Sequence, residues 1–379
     1  MLHLILSTDW TAERKEILDR IAADVQQERP GRILIVPELN SHDTERRLSQ
    51  VAGDTASRFA EVLSFTRMMR RVADSAGCAA PKCMDNGGRV VAMAATARQL
   101  HSRLKAYAAV QTKPEFLTGL VDAVDEFKRC CITAKDLENA SHQTEGSLAQ
   151  KLEELSLLLE GYDSLCAQGK RDPRDQMNWL LEQLEEGSFG QEHVFYIDGF
   201  PDLTRQHLAI LEHLIRVSPS VTVGLNCDAV GSEHMAFQKA GHTAKELIRC
   251  ANQAGVEVKI EILPGENSDL GKACEALFQG TIPRVENGAL QVLRAESQWA
   301  EVDAAAQQVM ALVRSGCRYR DISIVCADMS VYGDVMALVF HRCGIPLYQS
   351  GTEDILQKTM VSTVLSALEA ALGGFEQGM

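Results

Sequence analysis

Short, continuously apolar runs alternating with helical periodicity set the first limit on what this chain can fold into. Residues 2–6 (LHLIL), 33–36 (ILIV), 193–198 (HVFYID) and 221–225 (VTVGL) have the length and character of short apolar strands, and 61–65 (EVLSF) and 256–263 are further candidate strands. Between them the spacing predicts helices over 11–25, 66–73, 204–216 and 243–254, with Ile17, Leu18 and Ile21 on one face of the first. Strands of this kind, alternating with helices, call for a parallel sheet covered on both faces, an α/β fold.

One stretch breaks the alternation. Residues 77–88 (GCAAPKCMDNGG) are rich in chain-breaking residues, and from Arg89 to Glu186 no strand pattern is found. Four apolar stripes lie there instead: Val90–Met93–Ala97–Leu100–Leu104–Tyr107, Phe116–Leu117–Leu120–Val121–Val124–Phe127, Leu148–Leu152–Leu155–Leu159–Tyr162 and Met177–Leu180–Leu184. Their spacing predicts the core of an all-helical insertion. After the Gly/Pro/Asn-rich stretch 278–288, strands at 290–294, 322–326 and 346–349 and helices at 300–314, 331–343 and 355–372 suggest a second α/β unit with a thin, incomplete sheet. The expected division is 1–76 and 191–285 for a split first domain, 77–190 for the insertion and 286–379 for the second domain.

Charge limits the partners. The formal charge is −14, so the overall field repels nucleic acid, and any DNA contact requires a local basic strip or a basic partner. No apolar run reaches the ~18 residues of a membrane span, and residues 1–6 lack the basic flank of a secretory signal. The eleven cysteines are scattered, with no Cys-x-x-Cys, which fits buried thiols in a reducing cytoplasm better than disulfides or a metal site at Cys130–Cys131 or Cys78/Cys83. His3, His42 and His101 have no partners at ligand or catalytic spacing.

A parallel sheet whose first strand opens the chain invites a search for a phosphate loop, which needs glycines, a Lys and a Ser/Thr. The place is taken by Ser7-Thr8-Asp9-Trp10-Thr11-Ala12-Glu13-Arg14-Lys15, without a glycine and with two carboxylates that repel phosphate. No other phosphate loop and no dinucleotide Gly-x-Gly-x-x-Gly occurs. At 195–200 (FYIDGF) an apolar run ends in Asp198, as in a Mg²⁺-holding strand end, but Gly199 stands where a water-activating Glu would be needed. A helix-capping or structural role is the expectation for Asp198.

These segments, taken in order with 33–39 (ILIVPEL), 62–72 (VLSFTRMMRRV), 125–132 (DEFKRCCI), 151–165 (KLEELSLLLEGYDSL), 195–204 (FYIDGFPDLT), 221–228 (VTVGLNCD) and 318–348, resemble the N-terminal part of the AddB (RexB) family. That family forms the second subunit of bacterial AddAB-type ATP-dependent helicase–nucleases. The resemblance implies a superfamily-1 helicase-like plan: a RecA-like domain (a P-loop NTPase fold) split by a helical insertion, then a second RecA-like domain. In register with the family's nucleotide loop, Ser7, Trp10 and Ala12 stand at glycine positions, Glu13 at the lysine and Arg14 at the Ser/Thr. This departure predicts no ATP hydrolysis by the lobe and no cofactor in this stretch. The family's nuclease domain, with its Mg²⁺-binding carboxylates and iron–sulfur cluster, and its later helicase motifs are expected beyond Met379.

The resemblance further implies a heterodimer with an AddA-like motor and nuclease subunit, action on single-stranded DNA and duplex ends, and a place in double-strand-break repair by homologous recombination. In such folds the loop after the third strand touches single-stranded DNA. Here it carries Ser64, Phe65, Thr66 and Arg67, with Arg70 and Arg71 one turn on: hydroxyls and guanidinium groups for phosphate and a ring for stacking. The alternative is a core Phe65 and a solvated arginine face. Arg98, Arg103 and Lys105 are weaker candidates. The leading expectation is a catalytically silent DNA guide. An active ATPase, a small-molecule α/β enzyme and a protein-interaction module without DNA contact remain as alternatives.

Overall fold

A computed structural model describes residues 1–265, 270–273, 276, 290–349 and 355–373. The chain divides into two compact units, Met1–Ala289 and Leu290–Met379. The stretch 278–288 and the boundary expected at 285–286 lie outside the described residues.

The first unit is built on six parallel strands: β1 (Leu2–Ser7), β2 (Arg32–Ile35), β3 (Ala60–Leu63), β4 (Val194–Ile197), β5 (Val221–Asn226) and β6 (Val258–Ile262). Their order across the sheet is β3-β2-β4-β5-β1-β6. β1 therefore sits between β5 and β6, with Leu2 opposite both Val221 and Val258. All six segments read as strands in this unit pair as strands, and the α/β expectation holds.

Strand periodicity divides the core in two. Leu2, Leu4 and Leu6 of β1, with Ile33, Ile35, Phe195, Ile197, Val221 and Val223, face one side. There they meet α3 (Phe65–Ala76), α8 (Gln176–Glu186), the short α9 (Phe189–Glu192), α10 (Arg205–Val217) and α11 (Gln238–Gln253). Ile5, Leu34, Val62 and Tyr196 face the other side, against α1 (Trp10–Gln26) and α2 (Ser41–Ala52). These apolar strand residues are at most 6% exposed, so each layer is bound by removal of its apolar surface from water.

The insertion between β3 and β4 is helical: α4 (Asn86–Gln99), α5 (Pro114–Arg129), α6 (Ala134–His142) and α7 (Gly146–Ala167) share one core centred on Met93, Leu120, Val124, Leu158, Leu159 and Tyr162. Two expectations are corrected here. The first stripe does not lie on one helix running to Tyr107. α4 ends at Gln99, and Leu104 and Tyr107 reach the same core from a turn. Glu154, 3% exposed, holds that turn by accepting from the backbone N–H of Lys105 (2.7 Å), Ala106 (2.7 Å) and Tyr107 (3.1 Å). The fourth stripe, Met177–Leu180–Leu184, does not belong to the bundle either. α8 packs with α3 and α10 against the sheet, where Leu180 is fully buried.

A buried polar cluster ties the bundle to α8. Arg89, 3% exposed, donates from Nε to Asp172 Oδ2 at 2.9 Å and pairs through Nη2 with Asp125. Tyr162 donates to Asp172 at 2.6 Å. Lys128 reaches both Asp163 (2.8 Å) and Asp175 (2.7 Å). Arg174 bridges to Asp125 at 2.6 Å, and Gln206 of α10 donates to the carbonyl of Arg174 at 2.9 Å.

In the second unit, helices Gln298–Arg314 and Met329–Arg342 pack through Val302, Ala306, Val309, Met336, Val339 and Phe340. Thr359–Leu372 is a further helix. The strands expected at 290–294, 322–326 and 346–349 are not formed: among the described residues none of them pairs with a laddered neighbour. A strand exists only with a partner for its backbone groups. Val292 and Val325 are more than nine-tenths exposed. Among the described residues no helix is long and apolar enough to cross a membrane.

Candidate functional site

The strand ends on the C-terminal side of β1, β4 and β5 bring most of the nucleotide-loop residues together. Only Thr8 and Asp9 separate Ser7, the last residue of β1, from Trp10, the first of α1. Two residues are too few to wrap phosphates in backbone N–H groups. Asp9 caps the helix instead, its carboxylate accepting from Thr11 N (2.8 Å) and Thr11 Oγ1 (2.6 Å), and the Thr11 bonds hold its carboxyl below the usual range. The helix N-terminus, the natural seat of an anion, thus already holds one.

Ser7 is fully buried: its Oγ accepts from Asp9 N at 3.0 Å and its carbonyl from Asn226 Nδ2 at 3.1 Å. Asn226, at the end of β5, lies in the segment 221–228, but its contact with Ser7, 219 residues away, is not signalled by any local pattern. Trp10 is 54% exposed, and the Arg14 guanidinium lies 5.1 Å from its ring centre. Ala12 is half-buried and Lys15 exposed.

Arg14 and Asp198 meet at the centre of this arrangement. Arg14 Nε donates to Asp198 Oδ2 at 2.7 Å, with the two side chains 11% and 3% exposed. Gly199 follows in the left-handed region (φ 77°), where a Cβ would come within 2.9 Å of Arg14 Nη2. Asp198 caps no helix, since Thr204 caps α10. Burial raises its carboxyl above the usual range, against the lowering effect of Arg14. Glu13, 3% exposed, is pushed up to about 8 by burial and by Asp198, with Arg14 opposing. It lies against Gly224 of β5, where any Cβ would collide with its carboxyl.

The second set of residues lies on α3. β3 ends at Leu63, two residues earlier than the sequence suggests, because the Oγ of Ser64 caps α3 by accepting from Arg67 N at 3.2 Å. Ser64 is 3% exposed. Phe65 is 5% exposed and stacks on His207 with centroids 4.3 Å apart; burial pushes His207 down to about 4. That ring is spent on the core, not offered to a base. Thr66 is half-buried. Arg67 pairs with Glu45 at 2.7 Å and Arg71 with Glu61 at 3.1 Å, while Arg70 is exposed with no ion pair among the described residues.

Arg98, His101, Arg103 and Lys105 are exposed on the bundle, and His42 is exposed on α2. His3 is buried between Arg20 and Glu261. Among the described residues no group of three or more His, Cys, Asp or Glu side chains is placed to hold a metal ion.

A six-stranded parallel sheet with β5 between β1 and the Asp198-bearing strand, split by a helical insertion, defines a RecA-like α/β lobe. The family described as ADDB, N-terminal, matches residues 5–275, and the chain belongs to that family. The B-type subunit of the ATP-dependent helicase/deoxyribonuclease of Desulforudis audaxviator (strain MP104C) is 29% identical over 391 residues, covering 97% of this chain and 33% of the relative. Proteins of the same name from Clostridium perfringens (strain ATCC 13124) and Clostridium botulinum (strain Loch Maree) are 26% and 25% identical, covering 89% and 93% of this chain and 30% and 32% of the relatives. The chain spans about a third of the length of these curated relatives.

Proposed function

We propose that this chain is the helicase-like, DNA-guiding lobe of a subunit of an ATP-dependent helicase–nuclease used in double-strand-break repair, and that the lobe itself hydrolyses no ATP. The observation that carries the reading is the Arg14–Asp198 pair: a protein cation sits on the carboxylate that a Mg²⁺–nucleotide would need. The two-residue connection after Ser7 and the Asp9 cap support it, since both remove phosphate ligands. Translocation then falls to an AddA-like motor subunit in the cytoplasm. Mg²⁺ and an iron–sulfur cluster are assigned to a nuclease domain outside this sequence. The arginines of α3 supply positive points for a single strand.

The test is nucleotide binding and turnover by the purified protein and by its complex with the motor subunit. The expected result is no retention of a fluorescent ATP analogue at micromolar concentration by the protein alone, and unchanged ATP turnover by the complex carrying Asp198→Asn. Micromolar binding abolished by Asp198→Asn would overturn the reading.

A further inference from the structure

We propose that Glu45 and Glu61 are exchangeable counter-ions that occupy the α3 arginines until the phosphates of single-stranded DNA displace them. The inference rests on the DNA-guiding reading and concerns how that same face is regulated. Arg67 Nη1 donates to Glu45 Oε1 at 2.7 Å, and Arg71 Nε donates to both oxygens of Glu61 at 3.2 and 3.1 Å. In both pairs the arginine is 40% and the carboxylate 39% exposed, so solvent and an incoming phosphate reach the two charges together.

The carboxylates come from different elements, Glu45 from α2 and Glu61 from β3, and both line a groove of about 330 Å³ beside Arg67. One carboxylate thus reaches the basic face of α3 from the strand that leads into it and the other from α2. Arg71 is also steadied by Phe189, whose ring centre lies 5.9 Å from the guanidinium. Exposed ion pairs are weak, which is what an exchangeable contact requires: each holds its arginine ordered yet resists a competing anion by only about 2–5-fold. Arg70 stays open as the first point of contact. Until they are displaced, the two carboxylates offset part of the positive charge of the α3 face.

The experiment measures fluorescence anisotropy of a labelled oligothymidylate with the full chain over a salt series. Asp74→Asn is the control, because Asp74 is exposed on the same helix and joins neither ion pair. Glu45→Gln and Glu61→Gln are each expected to tighten binding about 2–5-fold more than Asp74→Asn does. Equal effects of all three variants, or none, would overturn the counter-ion role while leaving DNA guidance standing. If the triple variant Arg67→Ala/Arg70→Ala/Arg71→Ala binds as the parent does, DNA contact by this face falls, and the counter-ion role with it.

Discussion

Arg14 on the second turn of α1 and Asp198 at the end of β4, 184 residues apart in the chain, are joined by a 2.7 Å hydrogen-bonded ion pair that is almost wholly buried. The pair ties a helix packed on one face of the sheet to the C-terminal end of a strand two positions from β1. A buried charge left without its partner is costly, so the two residues stand or fall together.

Arg14→Ala is therefore expected to destabilise the protein by about 3 kcal/mol, since it strands a buried carboxylate. Adding Asp198→Asn to Arg14→Ala should recover part of that loss. Urea unfolding of the two single variants and the double variant checks both the size and the non-additivity.

Glu13 gives a pH signature whose sign is fixed. Its carboxyl is raised from 4.5 to about 8 in the folded state, so folding binds a proton that the unfolded chain releases above its ordinary value. That stabilisation is complete below about pH 4.5 and is lost as the pH rises toward 8. Glu13→Gln should flatten this part of the stability profile and leave the protein more stable than its parent at pH 8, by on the order of 3 kcal/mol. Denaturant midpoints at pH 5, 6.5 and 8 measure the slope; a parent protein with no downward slope would contradict it.

The fold is legible where burial is continuous along the chain and illegible where it depends on distant partners. The buried strands β1, β2, β4 and β5 show as apolar runs, because a strand covered on both faces has no polar side to break the pattern, whereas the edge strand β6 alternates Lys259 and Glu261 with Val258, Ile260 and Ile262. α2 escapes such a reading because only Ser41, Thr44 and Leu48 of it are buried, too thin a stripe to stand out. Tyr107 keeps the helical spacing although its backbone has left the helix, since Glu154 folds that turn back onto the same core. At the candidate site the missing glycines are plain in the sequence. The pairing of Arg14 with Asp198 is not, because nothing local to either residue signals the other.

Glu154→Ala should loosen the turn that follows α4. It removes a charged acceptor from three backbone N–H groups, at a cost of about 2–3 kcal/mol. Hydrogen exchange at Lys105, Ala106 and Tyr107 should accelerate, while amides of the β1–β5 ladder stay protected.

In the polar cluster, Asp172→Ala should be among the most damaging single changes in the bundle, at about 3–5 kcal/mol, because Arg89 would be left buried with one counter-charge fewer. Tyr162→Phe removes only a hydrogen bond to the same carboxylate and should cost about 1.5–3 kcal/mol. Thermal unfolding of the two variants tests the ranking; a milder effect for Asp172→Ala would mean that the cluster is not held as described.

The departure of α8 from the bundle has a mechanical consequence. The helix that closes the insertion is also a stave in the wall beneath the sheet, and Asp172, Arg174 and Gln206 bolt its approach to both neighbours. The base of the insertion is thereby fastened to the layer that covers β4, and the bundle is expected to move with that layer as a cantilever.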